Sequence, residues 1–196
     1  MTPLAMIRHG PTAWNNDKRL QGHTDVPLSE EGREIVSRWQ LPVSISGYRW
    51  VSSPLRRATE TAFLLGAEHP HIEHRLTEMN YGNWEGRMLQ ELRQTLGDEM
   101  AENEARGIDF CPEGGEKPRQ VQERLALWLH EVGQEGEPTL AVSHHGVLRA
   151  LYSLATGWNM VDSLPEKFQW GAMHCFHVSS DGRVRVDRIN VSIEAK

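Results

Sequence analysis

The sequence predicts an α/β fold, a three-layer α/β/α sandwich around a mostly parallel central sheet, on three observations. Short apolar runs alternate with stretches whose apolar residues recur at helical spacing, the pattern of strands linked by crossover helices. The runs from Leu4 to Arg8 and from Thr139 to Ser143 each carry an unbroken apolar stretch that ends in a polar residue, as strands buried in a sheet do. Polar groups stand directly at the ends of these runs: Arg8-His9 after the first, His144 after the second, and "SSPLRRA" at the end of another. In open α/β sheets the carboxyl edge of the strands is where ligands bind.

Taken in order, Leu4 to Arg8 reads as a short buried strand, followed by a loop over residues 10–28 containing Gly10, Pro11, Gly22 and Pro27. Ser29 is placed to cap a helix that has Glu30 and Glu31 in its first turn and runs to about Gln40. Arg49 to Ser52 is a second strand. Ser53-Pro54 then opens a helix, with proline at its first position, that ends near Leu65 at Gly66. Ile72 to Leu76 forms a third strand. Residues 79–116 are irregular, with one helix from Met88 to Leu96 and the loop "CPEGGEKP", and read as a cap-like insertion within a single domain spanning 1–196. Pro118 opens the clearest helix, whose Val121, Leu125, Trp128, Leu129 and Val132 share a face before Gly133. Thr139 to Ser143 is a strand, Val147 to Thr156 a helix closed by Gly157, and Ala172–Val178 and Val184–Asn190 two strands joined at Asp181-Gly182.

Composition narrows the class of function. The 196 residues carry a formal charge of -6, which argues against a generic nucleic-acid surface. No run approaches the ~18 apolar residues of a membrane span, and the first residues do not have the layout of a secretory leader. Cys111 and Cys175 are the only cysteines and make no disulfide framework, so a reducing, cytoplasmic setting is expected. A cysteine phosphatase needs an arginine six residues after its thiolate; Lys117 and Asp181 stand there instead.

Four segments carry the chemistry: "RHGPTAWN", "SSPLRRATETA", "LTEMNYGNWEG" and "SHHGVLRAL". In kind and order they resemble the motifs of the histidine phosphatase superfamily, the phosphoglycerate mutase-like fold, and they cover the chain from near its start to about Leu151. The resemblance implies a metal-independent phosphomonoesterase without cofactor, acting on a small phosphorylated metabolite. His9 would be the nucleophile and form a phosphohistidine. Arg8, Arg57 and His144 would bind the phosphoryl oxygens, Glu78 would donate the proton, and Asn15 would add a phosphate contact. Gly10, Gln21 and His145 are further candidates on the substrate side. His145 departs from the family pattern, which has glycine there. The loop "LQGHTDVPLSEEG" is similar to that of α-ribazole phosphatases, while sugar-phosphate phosphatases share the same motifs.

The chemistry is sound without the name. A neutral imidazole is a suitable attacker on an anionic ester, provided one nitrogen is held by a backbone acceptor. Phosphoryl transfer mainly needs positioning and charge compensation, which two guanidiniums supply. A carboxylic acid kept protonated serves the leaving oxygen. Within the motifs, Arg57 rather than Arg56 precedes alanine as the family pattern asks, and Glu78 rather than Glu85 follows the third strand. Arg56 then reads as a solvated helix residue and Glu85 as structural. "HPHIEH" lacks a metal-ligand spacing and reads as surface, and His174 and His177 lie on opposite faces of their strand. Two other functions compete with the phosphatase: a bisphosphate-primed phosphoglycerate mutase, and a non-catalytic binder of phosphorylated ligands. Oligomeric state is not legible.

Overall fold

The first strand, β1 (Thr2–Arg8), runs near the middle of a six-stranded sheet in the computed structural model, which describes residues 1–193. On one side it pairs in parallel with β4 (Thr139–Ser143), which pairs in parallel with β2 (Arg49–Ser52), and β2 pairs with the two-residue edge strand β3 (His71–Ile72). On its other side β1 pairs antiparallel with β5 (Ala172–Val178), which forms a hairpin with β6 (Val184–Ser192). The sheet is thus mostly parallel, as predicted, with an antiparallel strand at β5.

Alternation along β1 builds the layers. Leu4 and Met6 face one side, into a core with Val121, Leu125, Trp128 and Leu129 of α6 (Pro118–Glu135) and Val147, Leu148 and Leu151 of α7 (His145–Thr156). Ala5 and Ile7 face the other, packing with Val36 of α2 (Glu30–Ser37), which follows the one-turn helix α1 (Ala13–Asn16). Ala58 and Ala62 of α3 (Arg56–Leu64) pack on Val142 of β4. Residues 79–116 hold α4 (Leu89–Leu96) and α5 (Asp98–Glu104), with a small core of Trp84, Leu92 and Met100. No helix of the described residues is long and apolar enough to cross a membrane.

Several boundaries differ from the sequence reading, each for a local reason. The third strand is only His71–Ile72, because the Glu73 carboxylate accepts from the Arg75 amide (2.9 Å) and turns the chain into a 3₁₀ helix over His74–Leu76. α3 begins at Arg56 rather than at Pro54, since the backbone is still extended at Leu55. Gly133 does not end α6: it lies inside the helix, where a Cβ would come within 2.0 Å of the Ser179 carbonyl, and Gly136 takes the left-handed φ of 68° that closes it. α7 starts at His145, two residues earlier than predicted, and α5 was not predicted.

Candidate active site

Register brings the motifs together. Arg8 pairs with Ser143 across β1 and β4, and Ser52 with Val142 across β2 and β4. The residues just beyond the three strands are therefore His9, His144 and Ser53, side by side at one edge of the sheet. The rings of His9 and His144 lie 5.1 Å apart between centroids, although 135 residues separate them in the chain.

His9 is buried, and its amide donates to the Ser143 carbonyl at 3.0 Å. Its Nδ1 lies 2.7 Å from the Gly10 carbonyl. A carbonyl only accepts, so Nδ1 carries the proton and Nε2 keeps a free lone pair. Burial, then the charges of Arg8 and Arg57, hold the imidazole well below its usual pKa, so it is neutral. Gly10 is needed for close approach: its φ is not positive, but a Cβ would meet Val36 Cγ2 at 2.3 Å. Its amide donates to Thr61 Oγ1 at 2.9 Å. The Gly10 amide is thus engaged by Thr61 while its carbonyl holds the His9 ring.

Arg57, wholly buried on α3, donates from Nε to His144 Nδ1 (3.3 Å), from one Nη to the Thr24 carbonyl (3.1 Å) and from the other to the Gly22 carbonyl (2.7 Å). A guanidinium has five N–H groups, which leaves two for a phosphoryl oxygen. Because His144 Nδ1 accepts from Arg57, its Nε2 carries the proton and donates to Ser53 Oγ at 2.7 Å. Burial and Arg57 keep His144 neutral as well. Arg8 has a different setting. Its guanidinium Cζ sits 3.9 Å from the centre of the Trp170 ring, its buried Nε has no partner, and burial lowers its pKa to about 10.

Glu78 is buried beside these cations. Its two oxygens accept from the amides of Met79 (2.8 Å) and Gly146 (3.1 Å). Both amides favour the charged form, as do Arg57 and Arg8, but burial outweighs them and the carboxyl is pushed above its usual range. Glu85, by contrast, accepts from the amides of His23 (2.8 Å), Thr24 (2.7 Å) and Tyr81 (3.3 Å) and from the Thr24 hydroxyl, and is held below the carboxylate range. It ties the 22–24 loop to the turn after Glu78, the structural part expected of it. Arg56 is exposed and pairs with Glu60 at 3.3 Å.

The remaining candidates lie at the margins. Asn15 Oδ1 accepts from the Thr12 amide and hydroxyl, both at 3.0 Å, leaving its NH₂ free. Gln21 is buried and donates to Thr12 Oγ1 at 2.5 Å, with its carbonyl oxygen unpartnered. His145, first residue of α7, meets Phe168 edge-on at 6.1 Å and faces a cavity outside the His9–His144 pair. Sequence reasoning missed Ser53, Thr61 and Trp170. The first two stand inside the quoted "SSPLRRATETA", where their place in a motif was the available signal. Trp170 follows the irregular segment before β5 and carries no motif signal.

Known proteins resemble the chain in sequence and in fold. A glucosyl-3-phosphoglycerate phosphatase of Mycolicibacterium vanbaalenii is 34% identical over 169 residues, covering 79% of this chain and 74% of the relative. The phosphoglycerate mutase-like protein 4 of Arabidopsis thaliana is 31% identical over 163 residues, 78% of this chain and 70% of that one. Among solved structures, YhfR of Bacillus stearothermophilus superposes with a TM-score of 0.83 at 27% identity, covering 99% of this chain and 98% of its own. Residues 4–191 match the histidine phosphatase superfamily, branch 1, and the chain belongs to that family.

Proposed function

We propose that the protein is a phosphomonoesterase that hydrolyses small phosphorylated metabolites through a phosphohistidine on His9. The observation that carries this reading is the His9 ring itself: neutral, with Nδ1–H fixed on the Gly10 carbonyl and Nε2 free, beside Arg8 and Arg57, the same two cations that act on the buried Glu78. In the first step Nε2 attacks phosphorus and the ester P–O bond breaks. The leaving oxygen takes the proton of the Glu78 carboxyl. In the second step the Glu78 carboxylate takes a proton from water as the water oxygen attacks the phosphohistidine, releasing inorganic phosphate and restoring His9. Arg8 and the two spare N–H groups of Arg57 meet the equatorial oxygens, with His144 and the NH₂ of Asn15 beside them. Residues 79–116 form the cap of a single domain, and its segment after Glu78 bounds the leaving-group side. Similarity to a named glucosyl-3-phosphoglycerate phosphatase supports hydrolysis as the reaction class.

The test is direct. Brief incubation with a phosphate-labelled monoester followed by denaturation leaves acid-labile, base-stable label on wild-type protein and none on His9→Ala, which has no turnover while keeping its circular dichroism. Acid-stable label, or substantial activity without His9, refutes the mechanism.

A further inference from the structure

β5 runs antiparallel to β1, so the chain that enters β5 passes beside the end of β1 where Arg8 and His9 stand. That chain, residues 158–171, has no helix or strand, and most of its side chains are exposed. Phe168 anchors it inward, with its ring 4.7 Å from His174 and 5.7 Å from Tyr152. Two residues later Trp170 lies across the Arg8 guanidinium. The Arg8 side chain makes no hydrogen bond or ion pair with another described residue, so this stack is the directed contact that places it.

One side chain on β6 ties the segment down. Asn190 Oδ1 accepts from the Gln169 amide at 2.9 Å, and its Nδ2 donates to the Lys167 carbonyl at 3.0 Å and to Glu166 Oε1 at 3.1 Å. The backbone is thereby gripped on both sides of Phe168, and at the residue that precedes Trp170. Among the described residues, these are the only hydrogen bonds between residues 163–169 and the rest of the protein.

Asn190 reaches the segment because β6 bulges there. Ile189 and Asn190 together stand opposite His174 alone, between the pairs Met173–Val191 and Cys175–Arg188. Such a bulge re-aims a side chain. The φ of Asn190 is 59°, a left-handed conformation that asparagine tolerates better than most residues. Its amide donates to His174 Nδ1 at 3.3 Å, which pins the bulge to β5. The backbone amide thus serves the sheet, while both polar atoms of the side chain serve the segment that carries Trp170.

We infer that Asn190 is a positioning residue for the phosphoryl site: it clasps residues 166–169 so that Trp170 holds Arg8 in place for the phosphoryl oxygens. This rests on the phosphatase reading above and deepens it.

The test is a double-mutant cycle on p-nitrophenyl phosphate hydrolysis. Asn190→Gly removes the clasp and leaves the left-handed backbone unstrained, so the melting temperature should stay close to that of wild type. Its kcat/KM should fall by about 3- to 10-fold, the scale of one net hydrogen bond, and chiefly through KM. In a Trp170→Ala background the same substitution should change kcat/KM by less than about twofold, because the group it positions is gone. A general loosening of the fold would instead repeat its cost in both backgrounds. Unchanged kinetics in Asn190→Gly, or the full loss repeated on top of Trp170→Ala, overturns the assignment while the phosphatase reading stands. Where wild type hydrolyses no phosphomonoester, the phosphatase reading fails and calorimetric affinity for inorganic phosphate becomes the readout. Weaker binding by Asn190→Gly then supports the clasp, and equal binding, or none by wild type, removes it. If Asn190→Gly does not fold, Asn190→Asp decides. It keeps the acceptor for the Gln169 amide but loses both donors and faces the Glu166 carboxylate; adding Glu166→Gln returns a donor opposite the new carboxylate. Loss in the single variant with recovery in the double supports the clasp, and no loss, or no recovery, overturns it.

Discussion

The indole of Trp170 touches two parts of the site at once: its ring lies 3.9 Å from the Arg8 guanidinium carbon, and its Nε1–H donates to the His9 carbonyl at 3.0 Å. One side chain, 161 residues further along the chain, thereby orients both the least tethered cation and the backbone of the nucleophile. A guanidinium over an indole face is worth roughly 0.5 to 2 kcal/mol, depending on how far it is desolvated. Trp170→Ala should therefore lower kcat/KM by roughly 3- to 30-fold. The loss should appear mainly in KM where Arg8 binds substrate and transition state alike. Trp170→Phe, which keeps a ring but drops the indole N–H, should recover part of the loss. Unchanged kinetics in the alanine variant would show that Arg8 is held without the stack.

The reach of the sequence can be read from Trp170 and its neighbours. Arg8, His9, Arg57 and His144 were legible because each sits at a strand end or a helix start within a recognisable motif, and parallel pairing collects such ends at one edge; Glu78, past the 3₁₀ helix that follows β3, was legible from its motif alone. The strands β2 and β4 were legible to the residue: β4 holds a buried apolar run with sharp ends, and β2 is followed at once by Ser53-Pro54. What was not legible depends on tertiary contact. Gly133 looks like a helix stop until Ser179 is seen pressing on it. Gly10 looks like a bend, but Val36 is the reason for it, and its amide is claimed by Thr61. The helix start at Ser53-Pro54 fails because the backbone is still extended at Leu55, and Ser53 Oγ faces His144 instead. Trp170 acts through contacts with Arg8 and His9, far away in the chain, and no local spacing encodes that.

Glu78 gives a prediction with two readouts. Replacement by Gln removes the transferable proton, and hydrolysis of alkyl phosphates should fall by roughly 10²–10⁴-fold. With p-nitrophenyl phosphate, whose leaving group needs little protonation, the loss should be much smaller. The pH profile supplies the second readout. Burial raises the Glu78 pKa above its ordinary value, so the acid form persists to higher pH than in an exposed glutamate and is lost as pH rises through the raised value. Wild-type kcat/KM on alkyl phosphates should decline along that limb, and the limb should vanish in Glu78→Gln. An equal loss on both substrates, or an unchanged alkaline limb, would give the acid role to another group.

Buried neutral histidines should make the fold sensitive to acid. His174 is fully buried on β5, packed 4.7 Å from the Phe168 ring, with Nε2 unpartnered, and burial lowers its pKa to about 4. Its ordinary value is 6.5. In that window the unfolded chain binds a proton that the folded chain refuses, so stability is present above about pH 6.5 and is lost as pH falls toward 4. The effect of this one group is of order 3 kcal/mol. Chemical denaturation at a series of pH values should show the slope, and His174→Phe should flatten it by about one proton. A slope that is identical in the variant would assign the acid sensitivity to His9, His144 and His145 instead.

The last prediction separates hydrolysis from mutase chemistry, and it turns on how many anions the site holds besides the one at His9. A mutase keeps its phosphoenzyme away from water and lets a bisphosphate turn around, so it needs a second cluster able to take a full phosphoryl group. In the cavity lined by Met79 and Gly146, Arg149 is the arginine without an acidic partner among the described residues; Arg93 is matched by Glu104 at 2.7 Å, and nearby Arg119 by Asp109 at 2.7 Å. At an effective dielectric near 20, a unit charge pair ~4 Å apart contributes ~4 kcal/mol, so one guanidinium does half the work of two. One guanidinium there is too little for a phosphate dianion that also faces the exposed Asp162. Phosphoglycerate should accordingly lose its phosphate to water faster than it isomerises, with or without added 2,3-bisphosphoglycerate. Both rates can be followed in one tube, by inorganic phosphate release and by separation of the 2- and 3-phosphoglycerates. Primer-dependent isomerisation well above phosphate release would establish a second phosphate site and make the protein a mutase.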